Sequence, residues 1–115
     1  METYAIHKTA MIKPRLARMT MDLVRGKSVK DARGILENTN TKASSLILKV
    51  LNSAVANAVN NNGAEENDLV ISKCFVNPGP IYKRIQFASR GNVDRHDKRT
   101  SHIVVYVTDN KEALE

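Results

Sequence analysis

Apolar residues recur along this chain with two different periods, and the changes of period divide it into elements. Residues 3–10 alternate loosely, Tyr4 and Ile6 against Thr3, His7 and Thr9, which predicts a short strand paired elsewhere in the fold. At Lys13-Pro14 the spacing becomes helical. Pro14 fits a first helical turn, where its missing N–H is not needed, and Leu16, Met19, Leu23 and Val24 follow at helical intervals as far as Gly26. The other side of that helix shows Arg15, Arg18, Asp22 and Arg25. Ser28-Val29-Lys30-Asp31 has the form of a capping box and opens a shorter helix with Val29, Ala32, Ile35 and Leu36 on its apolar side, ended by Asn38-Thr39-Asn40. The longest periodic stretch, about residues 41–62, carries Ala43, Leu46, Ile47, Val50, Leu51, Ala54, Val55, Ala58 and Val59 and reads as the core helix. Asn60-Asn61-Asn62-Gly63, residues able to turn left-handed, stop it.

Two strands follow, residues 69–76 and the β-branched run Ile103-Val104-Val105-Tyr106-Val107-Thr108, and they are expected to pair antiparallel. Between them, residues 77–101 begin with Asn-Pro-Gly-Pro and read almost nowhere as core. A connection of that length is unusual within a compact domain unless it has a function. Because residues 81–87 keep β-forming side chains and Ser89-Arg90-Gly91-Asn92 suits a turn, the segment reads as an extended basic hairpin. Residues 111–115 form an acidic tail, and residues 1–110 are taken as a single domain that includes the arm.

Composition sharpens this outline of a small α+β protein. Aromatic residues make up 4% of the 115-residue chain and Trp is absent, so the core must be aliphatic. The one cysteine, Cys74, can form neither an internal disulfide nor a thiolate metal cage and reads as a small packing residue in a reducing cytoplasm. The N-terminal stretch lacks an apolar run of signal-peptide length, and no run of apolar residues is long enough to span a membrane, so no membrane partner is expected. The net charge of +6 calls for a polyanionic partner. It is concentrated: residues 1–30 and 71–102 each carry a net +5, whereas 31–70 and 103–115 are each at −2. Two basic blocks around an acidic middle suggest two contact surfaces on one scaffold.

The arm is the stronger candidate site, with Lys83, Arg84, Arg90, Arg95, Lys98 and Arg99, followed by Thr100, Ser101 and His102. Like charges along an isolated two-stranded projection repel until phosphates neutralise them. The second candidate surface is Lys8, Lys13, Arg15, Arg18, Arg25 and Lys27, on and around the first helix. A metal or nuclease site built from Asp94, His96, Asp97 and His102 fails on spacing, since six residues of strand put the two imidazoles roughly 20 Å apart. Arg25-Gly26-Lys27-Ser28 has only the end of a phosphate-binding loop and no preceding strand, so it reads as a turn between helices. No cofactor, metal, small-molecule substrate or catalytic set is expected. Three classes of function remain: a structural RNA-binding protein, a free nucleic-acid-binding regulator, and a small nuclease. The regulator lacks a convincing recognition helix and dimer face, and the nuclease lacks residues to act with.

Several strings then carry a resemblance: Asp22-Leu23-Val24-Arg25-Gly26-Lys27, Ala54-Val55-Ala56-Asn57-Ala58, Gly79-Pro80 with Lys83-Arg84, Arg90-Gly91, and above all Lys98-Arg99-Thr100-Ser101-His102-Ile103. In order and separation they resemble the bacterial ribosomal protein L22 family, universal name uL22, over almost the whole chain. The resemblance implies a three-stranded antiparallel sheet packed with three helices and a long hairpin that helps line the peptide exit tunnel. It implies 23S rRNA, neighbouring large-subunit proteins and the nascent peptide as partners, and a part in subunit assembly. By position, Tyr82, Lys83 and Arg84 fall where the family's hairpin enters the tunnel constriction, and Arg90, Gly91, Asn92 and Val93 fall near the tip, a region tied in the family to macrolide sensitivity. The tip here, Phe87-Ala88-Ser89-Arg90-Gly91-Asn92-Val93, is less basic than the family's usual one, and His96-Asp97 replaces a neutral or basic pair.

Overall fold

A computed structural model describes residues 2–87, 91 and 93–109, and of 84–87 and 93–96 it describes the backbone alone. The alternating N-terminal segment forms β1 (Glu2–Ala10), with its even positions from Glu2 to Lys8 exposed and its odd ones half-buried. The other strands are β2 (Val70–Phe87) and β3 (Val93–Thr108). β3 pairs antiparallel with both, from Glu2↔Thr108 on one side and Val70↔Thr108 on the other, so the order is β1-β3-β2. The run Ile103 to Val107 therefore becomes the middle of the sheet, where β-branched side chains pack on both faces.

Three helices cover one face: α1 (Pro14–Met21), α2 (Val29–Asn38) and α3 (Lys42–Asn62). α3 buries Ala43, Ile47, Val50, Leu51, Ala54, Val55 and Ala58, the expected stripe, against Ile71, Val76, Ile103, Val105 and Val107 of the sheet. Leu46 is only partly buried and Val59 is exposed. Thr41 and Ser44 close a reciprocal capping box at its start, and Gly63 ends it in the left-handed region. α2 begins at Ser28, whose Oγ accepts the Asp31 N–H at 3.2 Å, and buries Val29, Ala32 and Leu36. The architecture is α+β, three helices on a three-stranded antiparallel sheet.

α1 departs from expectation in length and in face. Helical geometry stops at Met21, and the chain reaches Gly26 through turns closed by Leu23 N–H to Thr20 O and Val24 N–H to Met21 O. The buried side is Pro14, Ala17, Thr20, Met21 and Val24, while Leu16, Met19 and Leu23 are exposed. Both stripes have helical spacing. The smaller one wins because Ala17 and Thr20 let the helix backbone come close to the sheet and α3, where Leu16 and Met19 would hold it off.

The expected hairpin arm between the predicted short strands is present, and it is a continuation of β2 and β3 beyond the helices. Pairing continues from Ile81↔Arg99 to Phe87↔Val93, roughly 20 Å of two-stranded arm. The molecule measures 61 × 25 × 23 Å, and its radius of gyration of 17.0 Å exceeds the value of about 13 Å for a compact chain of this length. Arg90, Asn92 and the turn from Ser89 lie outside the described residues, apart from Gly91, as does the tail at 111–115.

Candidate nucleic-acid interface

The arm leaves the sheet at a pair of irregularities. On β2, Pro78 faces Ser101 and Ile81 faces Arg99, so Gly79 and Pro80 both lie opposite the single residue Thr100. Such a bulge bends a strand and raises its twist. Only glycine fits this one: a Cβ on Gly79 would lie 2.6 Å from Thr100 Oγ1 and 3.2 Å from His102 Cε1. On β1 the register also shifts between His7 and Ala10, around Thr9, a β-branched residue held at φ +56.

Three consecutive side chains fasten this joint. Thr100 Oγ1 donates to Pro80 O at 2.6 Å, Ser101 Oγ donates to Ile12 O at 2.7 Å, and His102 Nδ1 accepts the Thr9 N–H at 2.9 Å. They hold β2, the β1–α1 connection and β1 respectively. Thr100 and Ser101, grouped on sequence with the RNA contacts, are both 0% exposed, each covered on its own side of β3. His102 is half-buried and its Nδ1 is occupied.

The cations divide into groups that linear order does not show. Lys83, Lys98 and Arg99 are exposed on the arm, in register positions opposite Asp97, Tyr82 and Ile81. Arg84 and Arg95 sit at backbone register positions opposite His96 and Ile85, and Arg90 is outside the described residues. At the arm root a cleft of about 270 Å³ is lined by Lys13, Lys42, Lys98 and Arg99 with one carboxylate, Asp97, and by Met11, Ile12 and Leu16. The two basic blocks of the sequence thus meet at one place. Lys42 comes from the acidic middle and was not singled out by sequence. Its Nζ donates to Met11 O at 2.5 Å, and only the fold places it beside the arm.

Arg18 and Arg25 point elsewhere. Nε and Nη2 of Arg18 donate to Val76 O at 3.2 and 3.1 Å, and Nη2 of Arg25 donates to Cys74 O at 3.1 Å. The two guanidinium groups occupy alternate carbonyls on the outer edge of β2 and block it against another strand. Arg25 also bonds Asp22, the largest of the effects that raise its pKa. Lys27 continues the edge, its carbonyl accepting the Ile71 N–H at 3.0 Å. On the opposite edge Asn57 Nδ2 donates to Tyr4 O at 3.2 Å. Lys8, Arg15 and Lys27 have exposed side chains. Burial pushes the Cys74 thiol above its ordinary value, with the Arg25 charge opposing in part, so the thiol is neutral at physiological pH.

His96 and His102 belong to one continuous strand, so no bend brings them together. What the fold and these residues define is a binding scaffold: a small α+β body whose two longest strands carry cations away from the core. The family model described as ribosomal protein L22p/L17e matches residues 5–108. The chain belongs to that family and is a structural protein of the large ribosomal subunit.

Proposed function

We propose that this protein, as a bacterial-type member of its family, binds 23S rRNA through its arm and arm root, supports assembly of the large subunit, and lines the peptide exit tunnel with its hairpin. The observation that carries the reading is the arm itself. Roughly 20 Å of paired strand without a core of its own is marginal in water, and its exposed Lys83, Lys98 and Arg99 gain most when phosphates surround them. Residues 1–110 act as one rRNA-binding unit, with 77–101 as the inserted part. Lys13 and Lys42 extend the phosphate contacts to the root, with Lys8, Arg15 and Lys27 at the periphery. Arg18, Arg25, Thr100, Ser101 and His102 serve binding by fixing the geometry. Tyr82, Lys83, Arg84, Arg90, Gly91, Asn92 and Val93 face the tunnel and its nascent peptide, and the body contacts neighbouring large-subunit proteins.

The test is the salt dependence of binding to transcribed 23S rRNA. Each phosphate contact removed lowers the slope of log affinity against log salt by about 1. Replacing Lys83, Arg84, Lys98 and Arg99 together by Ala is expected to lower it by roughly 3 to 4. An unchanged slope contradicts the arm's role.

A further inference from the structure

The helices occupy one face of the sheet. On the other, β1 carries Tyr4 and Ile6, β3 carries Val104 and Tyr106, and β2 carries Phe75, in register as Tyr4↔Tyr106, Ile6↔Val104 and Phe75↔Val104. The ring centroids of Tyr4 and Tyr106 are 5.2 Å apart and those of Phe75 and Tyr106 6.2 Å apart, with interplanar angles of 32° and 27°. Three of the chain's five aromatic rings are thus gathered side by side across all three strands. Tyr4 is 52% exposed, Ile6 42% and Phe75 38%, while Val104 beneath them is 4% exposed. An alternating strand in a sheet with one solvated face ordinarily puts polar residues here.

The surround is cationic. Lys73 Nζ stands 5.9 Å from the Tyr106 ring centroid, and Lys8 follows Ile6 on the exposed side of β1. Lys98 continues the Tyr106–Val104 alternation of β3 onto the arm, opposite Tyr82. The carboxylate beside the cluster, Glu2, lies 3.9 Å from Lys73. Rings flanked by lysines and continuous with a basic arm suit a single-stranded polyanion with flat bases. A protein partner would instead be met by lysines that its interface centre must desolvate.

We propose that this uncovered sheet face is a second RNA-binding surface, on which Tyr4, Tyr106 and Phe75 stack unpaired bases while Lys8 and Lys73 hold the adjoining phosphates. It rests on the reading that the chain binds rRNA, but it uses a different surface from the arm. The first test is fluorescence anisotropy of labelled decaadenylate and of a short blunt RNA duplex with the full-length chain. Tyr4→Leu, Phe75→Leu and Tyr106→Leu combined keep an apolar side chain at each position and remove the rings. The combination is expected to weaken decaadenylate binding by about tenfold or more and duplex binding by less than about twofold. Unchanged decaadenylate affinity, or an equal loss on both probes, overturns the proposal. Should the triple variant not fold, Tyr4 replaced by p-azidophenylalanine in assembled large subunits gives the answer. Photocrosslinks to rRNA are expected, and crosslinks to protein only, or none, overturn it. Alanine replacements on the arm are scored separately by the salt slope for 23S rRNA, so either reading can fail without the other.

Discussion

Thr100, Ser101 and His102 are adjacent in sequence, yet each grips a different piece of backbone, because alternate residues of a strand face opposite ways and the bulges on both neighbouring strands bring carbonyl and N–H groups within reach. Beside Lys98 and Arg99, a pair of hydroxyls and an imidazole read naturally as further RNA contacts. Nothing in a linear string marks which of them are covered; the register with Pro78 and Ala10 decides it. The same joint sets the demand at Gly79. Replacing Gly79 by Ala forces Thr100 to move and breaks its bond to Pro80, so urea unfolding is expected to show a loss of about 1–3 kcal/mol. An unaltered midpoint contradicts the tight packing. Cys74 gives a second residue-level test. Its raised pKa means that the folded state resists forming the thiolate: the stabilisation is complete below the thiol's unfolded value and is lost as pH rises through the folded one. Iodoacetamide near neutral pH is expected to label the native chain at least about tenfold more slowly than the chain in urea. Equal rates show an accessible thiol.

Among the elements, α3 was the most legible, since a long apolar stripe leaves little choice of face. α1 was not, because two stripes share one helical spacing and the small residues, not Leu16 and Met19, lie against the core. Its cations were equally ambiguous. Arg18 and Arg25 read as solvent-facing positive charge, but they cap the β2 carbonyls of Val76 and Cys74, a partnership across about fifty residues that no local pattern reveals. Asn57 does the same for β1. Two of the strings that carried the family resemblance, around Arg25 and Asn57, therefore guard the sheet's open edges. Replacing Arg18 and Arg25 together by Ala is expected to lower unfolding stability by about 1–2 kcal/mol and to produce concentration-dependent association in sedimentation velocity. A double variant as stable and as monodisperse as the parent contradicts edge protection.

At the scale of the whole molecule, charge and shape work together. The basic blocks are far apart in sequence, and the antiparallel return of β3 beside β2, with the start of α1 against the arm root, brings Lys13 to Lys98 and Arg99. The length and basicity of the arm were legible from residues 77–101, and so was its antiparallel pairing. Its continuity with the sheet was not, because Asn77-Pro78-Gly79-Pro80 looks like a strand ending and is instead a bulge through which pairing resumes. The arm adds surface without adding core, so removing its charge should leave the body folded. The most direct measurement is sucrose-gradient sedimentation of lysates containing the chain with Lys83, Arg84, Lys98 and Arg99 all replaced by Ala, with circular dichroism of the purified variant as the folding control. The expected result is a folded variant that is depleted from large subunits and stripped from the remainder by a high-salt wash that leaves the parent chain in place. A folded variant recovered in large subunits at the parent's level after that wash would contradict the arm as the RNA anchor.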